Sequence, residues 1–239
     1  FTRYDIENVQ VIGHDVICNR PRVAAYRAPG APMIAFGVET VIDELAEELK
    51  IDPIEIRLIN AAREGTQTHF GPKLGPIGYV ETLERARAHD HMKTKLGPNQ
   101  GRGIATAFWN TLGMETSATI NVNQDGSASL VYGTVDVAGG MRTVYAQMAA
   151  EELGIPFDKI RAQQSDTSSQ GFNFPTVGSR GTAAGGMAVV KASRDAIARM
   201  CQVAARIWEV EEDEVVWEDG SARPASANVG DFEPLSLAE

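Results

Sequence analysis

The chain has 239 residues, 43% of them apolar, and it carries a formal net charge of -10 with a pI near 5.0. So acidic a chain offers no basic face to follow a phosphodiester backbone, which argues against nucleic acid as a partner, and no apolar run approaches the roughly 18 residues of a membrane span. The length favours two modest domains over a single large one.

The N-terminal FTRYDIENVQ lacks the basic and then apolar order of a signal peptide, and a start on Phe1 rather than Met predicts a segment of a longer polypeptide. Two cysteines, Cys18 and Cys201, form neither a C-x-x-C pair nor a disulfide framework. They read as small buried hydrophobes in a reducing, cytoplasmic compartment.

In chain order, AFGVETVIDELAEELK places Val38, Val41, Ile42, Leu45 and Leu49 at helical spacing, which predicts an amphipathic helix over Phe36 to Leu49. Glu39, Asp43, Glu44, Glu47 and Glu48 fall mostly on its other face and read as solvated charges rather than as an acid and base pair. IDPIEIRLIN follows with Asp52 as N-cap, Pro53 at the first helical position and Glu55 three residues past the cap, so a second, shorter helix is expected. GPKLGPIG, residues 71–78, is a loop because its prolines remove donors and its glycines add chain entropy. YVETLERARAHDH resumes the helical period through Val80, Leu83 and Arg87. LGPNQG, residues 96–101, breaks the chain again, and a domain boundary is placed there, dividing 1–97 from 98–239.

Beyond that loop the period changes to two. TINVNQDGSASLVY alternates Ile120 and Val122 with Thr119, Asn121 and Asn123, turns at Asp125 and Gly126, and returns through Ala128, Leu130 and Tyr132 as a hairpin. MRTVYAQMAAEELG restores helical spacing at Met141, Val144, Met148 and Leu153, and stops at Gly154 ahead of Pro156. IRAQQSD reads as a short strand and SDTSSQGFNF as a loop. A long helix is expected from about Ser179 to Val210, and VVWEDGSARPA forms a hairpin around Asp219 and Gly220. The order mixes helices and strands, without internal repeats.

Three places combine small residues with possible chemistry. In GTVDVAGGMRTVYAQM a strand is expected to end at Val137 and a helix to begin near Met141, with Gly139 and Gly140 in the turn. Glycines at a helix start let main-chain N–H groups approach an anion, although a plain tight turn has the same composition. PTVGSRGTAAGG repeats the arrangement, since Val177, Gly178, Ser179, Arg180, Gly181 and Thr182 offer main-chain donors, hydroxyls and a guanidinium suited to bidentate contact with phosphate. The alternative is that Gly181, Ala183, Ala184, Gly185 and Gly186 only let the helix pack closely. AAYRAPGAP, residues 24–32, stations Arg27 in a turn stiffened by Pro29 and Pro32 and freed by Gly30.

Other candidates carry less. His89 and His91 stand two apart and diverge by about 200° on a helix, so they cannot share a metal unless the helix ends there. Asp136 and Asp166 each end a strand, where capping is the alternative to orienting a cofactor. Ser165, Ser168, Ser169 and Ser179 have no nearby His to serve as base, which argues against a serine hydrolase.

Taken together, AAYRAPGAPMIAFGVETVIDELAEELKIDPIEIRLIN, GTVDVAGGMRTVYAQMAAEELGIP and SDTSSQGFNFPTVGSRGTAAGGMAVVKA resemble, in order and spacing, the molybdenum-binding large subunit of the xanthine dehydrogenase and aldehyde oxidase family. The resemblance runs from about residue 9 to 205. It implies an α+β fold in two parts, with 1–97 the C-terminal part of a first molybdopterin-binding domain and 98–239 the N-terminal part of a second. It further implies a molybdopterin cytosine dinucleotide, hydroxylation of an aldehyde or N-heterocycle with oxygen from water, and partner subunits carrying [2Fe-2S] clusters and FAD.

By the same resemblance Gly178 to Thr182 hold the pyrophosphate and pterin, Gly139 and Gly140 border the cofactor, and Arg27 borders the metal. Pro29 takes the place of an aromatic that stacks on purines, which argues against a purine substrate. Gly139 stands where the family commonly has a Gln, and the loss of that amide predicts altered or absent activity. The family's Gly-Gly-Gly-Phe-Gly loop and the Gly-x-Gly-Glu segment that supplies its general base have no counterpart, so no catalytic residue is assigned and the chain reads as the middle of a larger subunit. The alternative is a cofactor-free scaffold descended from the same fold.

Overall fold

Asp52 starts the second helix as its sequence predicts: its carboxylate accepts the N–H groups of Ile54 and Glu55 at 2.8 and 3.1 Å. The computed structural model describes residues 2–22, 24–164 and 167–239. Two compact units, Phe1–Trp109 and Asn110–Glu239, make up the chain.

In the first unit, α1 (Ala31–Leu49) and α2 (Pro53–Ile59) are followed by α3 (Tyr79–Ala88) and the single turn α4 (Asp90–Lys93). Ile54, Leu58, Ala61 and Leu83 form its core, with Tyr79, Val80, Met92 and Ile104 packed against them. The first unit extends past the LGPNQG loop because later residues are bonded into it. Arg102 donates to the Met92 carbonyl, and the Thr106 N–H donates to Glu39.

Helix α1 begins at Ala31 rather than Phe36, since left-handed Gly30 and the proline that follows set up its first turn. Its inward line corrects the sequence reading. Glu39 and Ala46 are the buried residues of the helix, while Val41, Leu45 and Leu49, expected on the packed face, are exposed. The inward stripe runs through Ala35, Val38, Glu39, Ile42, Asp43 and Ala46, positions three and four apart. Its two acids are accommodated because buried arginines meet them.

Those arginines converge on one carboxylate. Glu39 Oε1 accepts from Arg3 Nε and Nη2 and from the Tyr4 hydroxyl, and Oε2 accepts from Arg57 Nε and from the N–H and hydroxyl of Thr106. Arg57 also forms an ion pair with Asp43 at 2.8 Å. Segments around residues 3, 39, 57 and 106 are thereby tied at a single point. Burial pushes the Glu39 carboxyl up, but the hydrogen bonds from Tyr4, Arg3, Thr106 and Arg57 outweigh it and bring its pKa down to about 2.

The second unit carries β1 (Ala118–Val122), β2 (Ala128–Tyr132), α5 (Met141–Leu153), β3 (Ile160–Gln164) and α6 (Gly186–Trp208), then β4 (Val215–Glu218), β5 (Ser221–Pro224) and β6 (Leu235–Ser236). The expected hairpin forms with Ile120 opposite Leu130, and its turn is closed by Asp125, which accepts from the Ser127 N–H. β3 joins the other edge of β2 in parallel, with α5 as the crossover. Ala128, Leu130 and Tyr132 point from one face of β2 into a core shared with Met141, Tyr145, Ala149, Leu153 and Val189. Full burial of each large apolar side chain there stabilises by roughly 1.5–3 kcal/mol.

A second sheet, ordered β4-β5-β6, packs on the end of α6 through Trp208, Val215 and Ala222. Gly154 and Gly220, predicted as a helix stop and a hairpin turn, meet one another. Both have positive φ, 70° and 73°, and a Cβ on either would strike the backbone of the other. The hairpin order and the parallel third strand give the α+β class that the resemblance implies.

Three further expectations change. Strand β2 ends at Tyr132, not Val137, because the Val135 N–H turns away to donate to the Thr176 hydroxyl. The long helix starts with one π-helical turn, Gly181–Gly185, before α6 proper. Cys18 is exposed rather than buried, whereas Cys201 packs beside the Trp208 cluster and burial raises its thiol pKa.

Candidate functional site

The two glycine-rich helix entrances of the second unit lie side by side. Tyr145 of α5 donates its hydroxyl to the Gly181 carbonyl at 2.7 Å. A Cβ placed on Gly181 would stand 3.1 Å from Met141 Sδ, and one on Gly185 would fall on the Tyr145 hydroxyl. A Cβ on Gly186 would press on the Met148 thioether. Close packing therefore explains Gly185 and Gly186.

It does not explain the outer side of the same turn. Val177, Ser179, Thr182 and Ala183 are exposed, and Gly178 and Ser179 both adopt left-handed backbone with φ of 60° and 58°. The Gly178 carbonyl accepts the Leu112 N–H at 2.9 Å, and a Cβ at Gly178 would run into the Leu112 side chain. The entrance to α6 is thus packed on one side and open on the other.

Arg180 is not on the open side. It is 1% exposed, and its Nε, Nη1 and Nη2 donate to the carbonyls of Gly113, Phe174, Met114 and Glu115 at 2.8 to 2.9 Å. The expected bidentate phosphate contact is corrected on this ground, since four of the five guanidinium donors are spent inside the protein. Its planar fork instead binds residues 113–115 and Phe174 to the helix start. Leu112 to Glu115 carry no motif and escaped the sequence reading; only an arginine among glycines pointed there.

The α5 entrance is built differently. Asp136 accepts the N–H groups of Gly139, Gly140 and Met141 at 2.8, 3.1 and 3.1 Å, so the protein caps this helix with its own carboxylate. Asp136 does not end a strand, and its capping alternative is the one adopted. Gly140 needs its glycine, with φ of 70°, and Ala138 before it is also left-handed at 66°. Gly139 does not, for its φ is not positive and a Cβ would meet only the flexible end of Met141.

Arg27 and Pro29 lie exposed in the turn before α1, where Ala28 has φ of 53°. His89 ends α3, and its Nδ1 accepts the His91 N–H, which makes it the cap of α4. Ser165 and Asp166 lie outside the described residues. Among the described residues no three His, Cys, Asp or Glu side chains gather as a metal site, and no helix is long and apolar enough to cross a membrane.

Two helix entrances stripped of bulk, joined through Tyr145 and Gly181 and carried on a mixed sheet, define a domain class. Models of the molybdopterin cofactor-binding domain match residues 1–61 and 78–238, and the chain belongs to that family. Within it, the chain is a member of the large-subunit family of molybdenum hydroxylases. The nicotine 6-hydroxylase large subunit of Paenarthrobacter nicotinovorans is 28% identical over 92% of this chain and 30% of its own length. The carbon monoxide dehydrogenase large chain of Hydrogenophaga pseudoflava is 30% identical over 90% of this chain and 30% of its own. Quinoline 2-oxidoreductase from Pseudomonas putida 86 has the same fold, with a TM-score of 0.71 at 23% identity over 90% of this chain and 30% of that one. The chain thus spans less than a third of the length of these relatives.

Proposed function

We propose that this chain contributes to the cofactor site of an enzyme that hydroxylates an aldehyde or N-heterocycle with oxygen from water, with molybdopterin held as its cytosine dinucleotide. The observation that carries the reading is the half-open α6 entrance. Its glycines are accounted for by packing against Leu112, Met141, Tyr145 and Met148, while Val177, Ser179, Thr182 and Ala183 leave the outer side of the turn exposed. Main-chain N–H groups at a helix start, with the positive end of the helix dipole behind them, fit a pyrophosphate.

In this reading the main chain of Val177, Gly178, Ser179, Gly181 and Thr182 holds the pyrophosphate and pterin, and Arg180 keeps that turn in shape from beneath. Gly139 and Gly140 border the same group by main chain, with their N–H groups already held by Asp136. Arg27 and Pro29 border the metal. The bound molybdenum centre supplies the two-electron redox chemistry. Partners with [2Fe-2S] clusters and FAD, together with the rest of the large subunit, complete the enzyme in the cytoplasm.

The self-made Asp136 cap favours a second reading, a cofactor-free scaffold, because one of the two entrances has no donor to spare. Metal and nucleotide analysis separates them. The full-length subunit, purified with its partners, is expected to carry about one molybdenum and to release about one cytidine monophosphate on acid hydrolysis. An assembled complex with neither belongs to the scaffold.

A further inference from the structure

Among the described residues three arginines are buried, and two of them have a counter-ion: Arg3 and Arg57 lie 2.8 and 2.9 Å from Glu39. Arg180 has none. Its partners are four neutral carbonyls and the face of Phe174, 5.6 Å from the guanidinium carbon, and no carboxylate among the described residues stands within ion-pair distance. Carbonyl dipoles solvate a cation without cancelling its charge. A buried charge left unpaired is costly to keep, and it acts on nearby anions more strongly than a charge in water does. Its place sharpens the point, for Arg180 immediately precedes the π turn Gly181–Gly185, in which Thr182 and Ala183 are exposed.

We propose that Arg180 is a positioning residue that serves the anionic end of the ligand as a fixed charge beneath the α6 entrance, without touching it, while its hydrogen bonds hold residues 113–115 in place. The inference rests on the cofactor reading above and adds to it the source of the counter-charge. An anion docked on the outer turn would find the helix dipole and this guanidinium acting together. Lys in its place keeps the charge and loses the fork, and Gln loses the charge.

The test uses the full-length subunit produced without its cofactor, titrated with inorganic pyrophosphate and followed by melting temperature and calorimetry. Wild type and Arg180→Lys are expected to be stabilised by pyrophosphate, more at low salt than at high. Arg180→Gln is expected to bind at least tenfold more weakly and to lose the salt dependence. Binding by Arg180→Gln as tight as wild type overturns the proposal, as does a wild type that carries molybdenum when made with cofactor yet never responds to pyrophosphate.

If both Arg180 variants fail to fold, the wild-type salt series decides: pyrophosphate binding that weakens at least tenfold from low to high salt supports the proposal, and binding that salt leaves unchanged overturns it. A wild type that neither carries molybdenum nor binds pyrophosphate sinks the functional reading itself, which keeps the two failures apart.

Discussion

Glu39 Oε2 stands 2.9 Å from Arg57 Nε, with both side chains withdrawn from water. Eighteen residues separate them in sequence, and through this carboxylate α1, α2 and the segments at residues 3–4 and 106 are fastened together. Replacing Glu39 by Gln keeps the shape, leaves Arg3 buried without an anion and leaves Arg57 with Asp43 alone. Breaking a buried pair in this way costs about 3–5 kcal/mol. Urea unfolding of Glu39→Gln should show that loss in the midpoint, and a change under about 1 kcal/mol would mean that the cluster is solvated after all.

The same carboxylate sets an acid limit. In the folded chain its pKa is about 2, while an unfolded Glu titrates near 4.3. A depressed folded value contributes stability that is complete above the unfolded pKa and is lost as the pH falls toward the folded one. The contribution is about 3 kcal/mol and should disappear between about pH 4.3 and 2. Stability measured across that window is expected to fall more steeply for wild type than for Glu39→Gln. Parallel curves would contradict the assignment.

Glycines at the helix entrances divide into those the fold requires and those it does not. Gly185→Ala would drive a methyl group into the Tyr145 hydroxyl in a buried site, an overpacking expected to cost about 1–3 kcal/mol or more. Gly139→Ala meets only the end of Met141, and the φ of Gly139 is not positive. It should leave the melting temperature unchanged or raise it slightly through the unfolded chain's lost entropy. Thermal unfolding of the two variants reads the contrast directly.

Asp136 caps α5 with three hydrogen bonds, and Asp136→Ala leaves those N–H groups to water. The expected loss is about 0.5–2 kcal/mol. Helix stability in that turn can be followed by amide exchange of Gly139, Gly140 and Met141, which should quicken in the variant. Unchanged exchange would show that the cap contributes nothing.

Much of this molecule is written locally, and those parts were legible. Asp52 ahead of Pro53, the Asp125 and Gly126 turn, and the Gly154 stop each act within a few residues, so sequence alone places them. Other features depend on partners far away in the chain. On α1 the solvated reading holds for Glu44, Glu47 and Glu48 and fails at Glu39, which is satisfied by Arg3, Arg57 and Thr106, none of which is visible from the helix itself. Arg180 was misread for the same reason. A guanidinium beside glycines suits a phosphate equally well from the sequence, and only the fold reveals the carbonyls of residues 113–115 waiting 65 to 67 positions upstream. The end of β2 was overrun because nothing in VDV announces that Val135 bonds to Thr176.

The most direct test of the cofactor site is the crystal structure of the full-length subunit with its cofactor bound. The account predicts pyrophosphate oxygens within about 3.2 Å of main-chain nitrogens among Gly178, Gly181 and Thr182. A pyrophosphate bound elsewhere, with the α6 entrance closed over by side chains of the same protein, would contradict it.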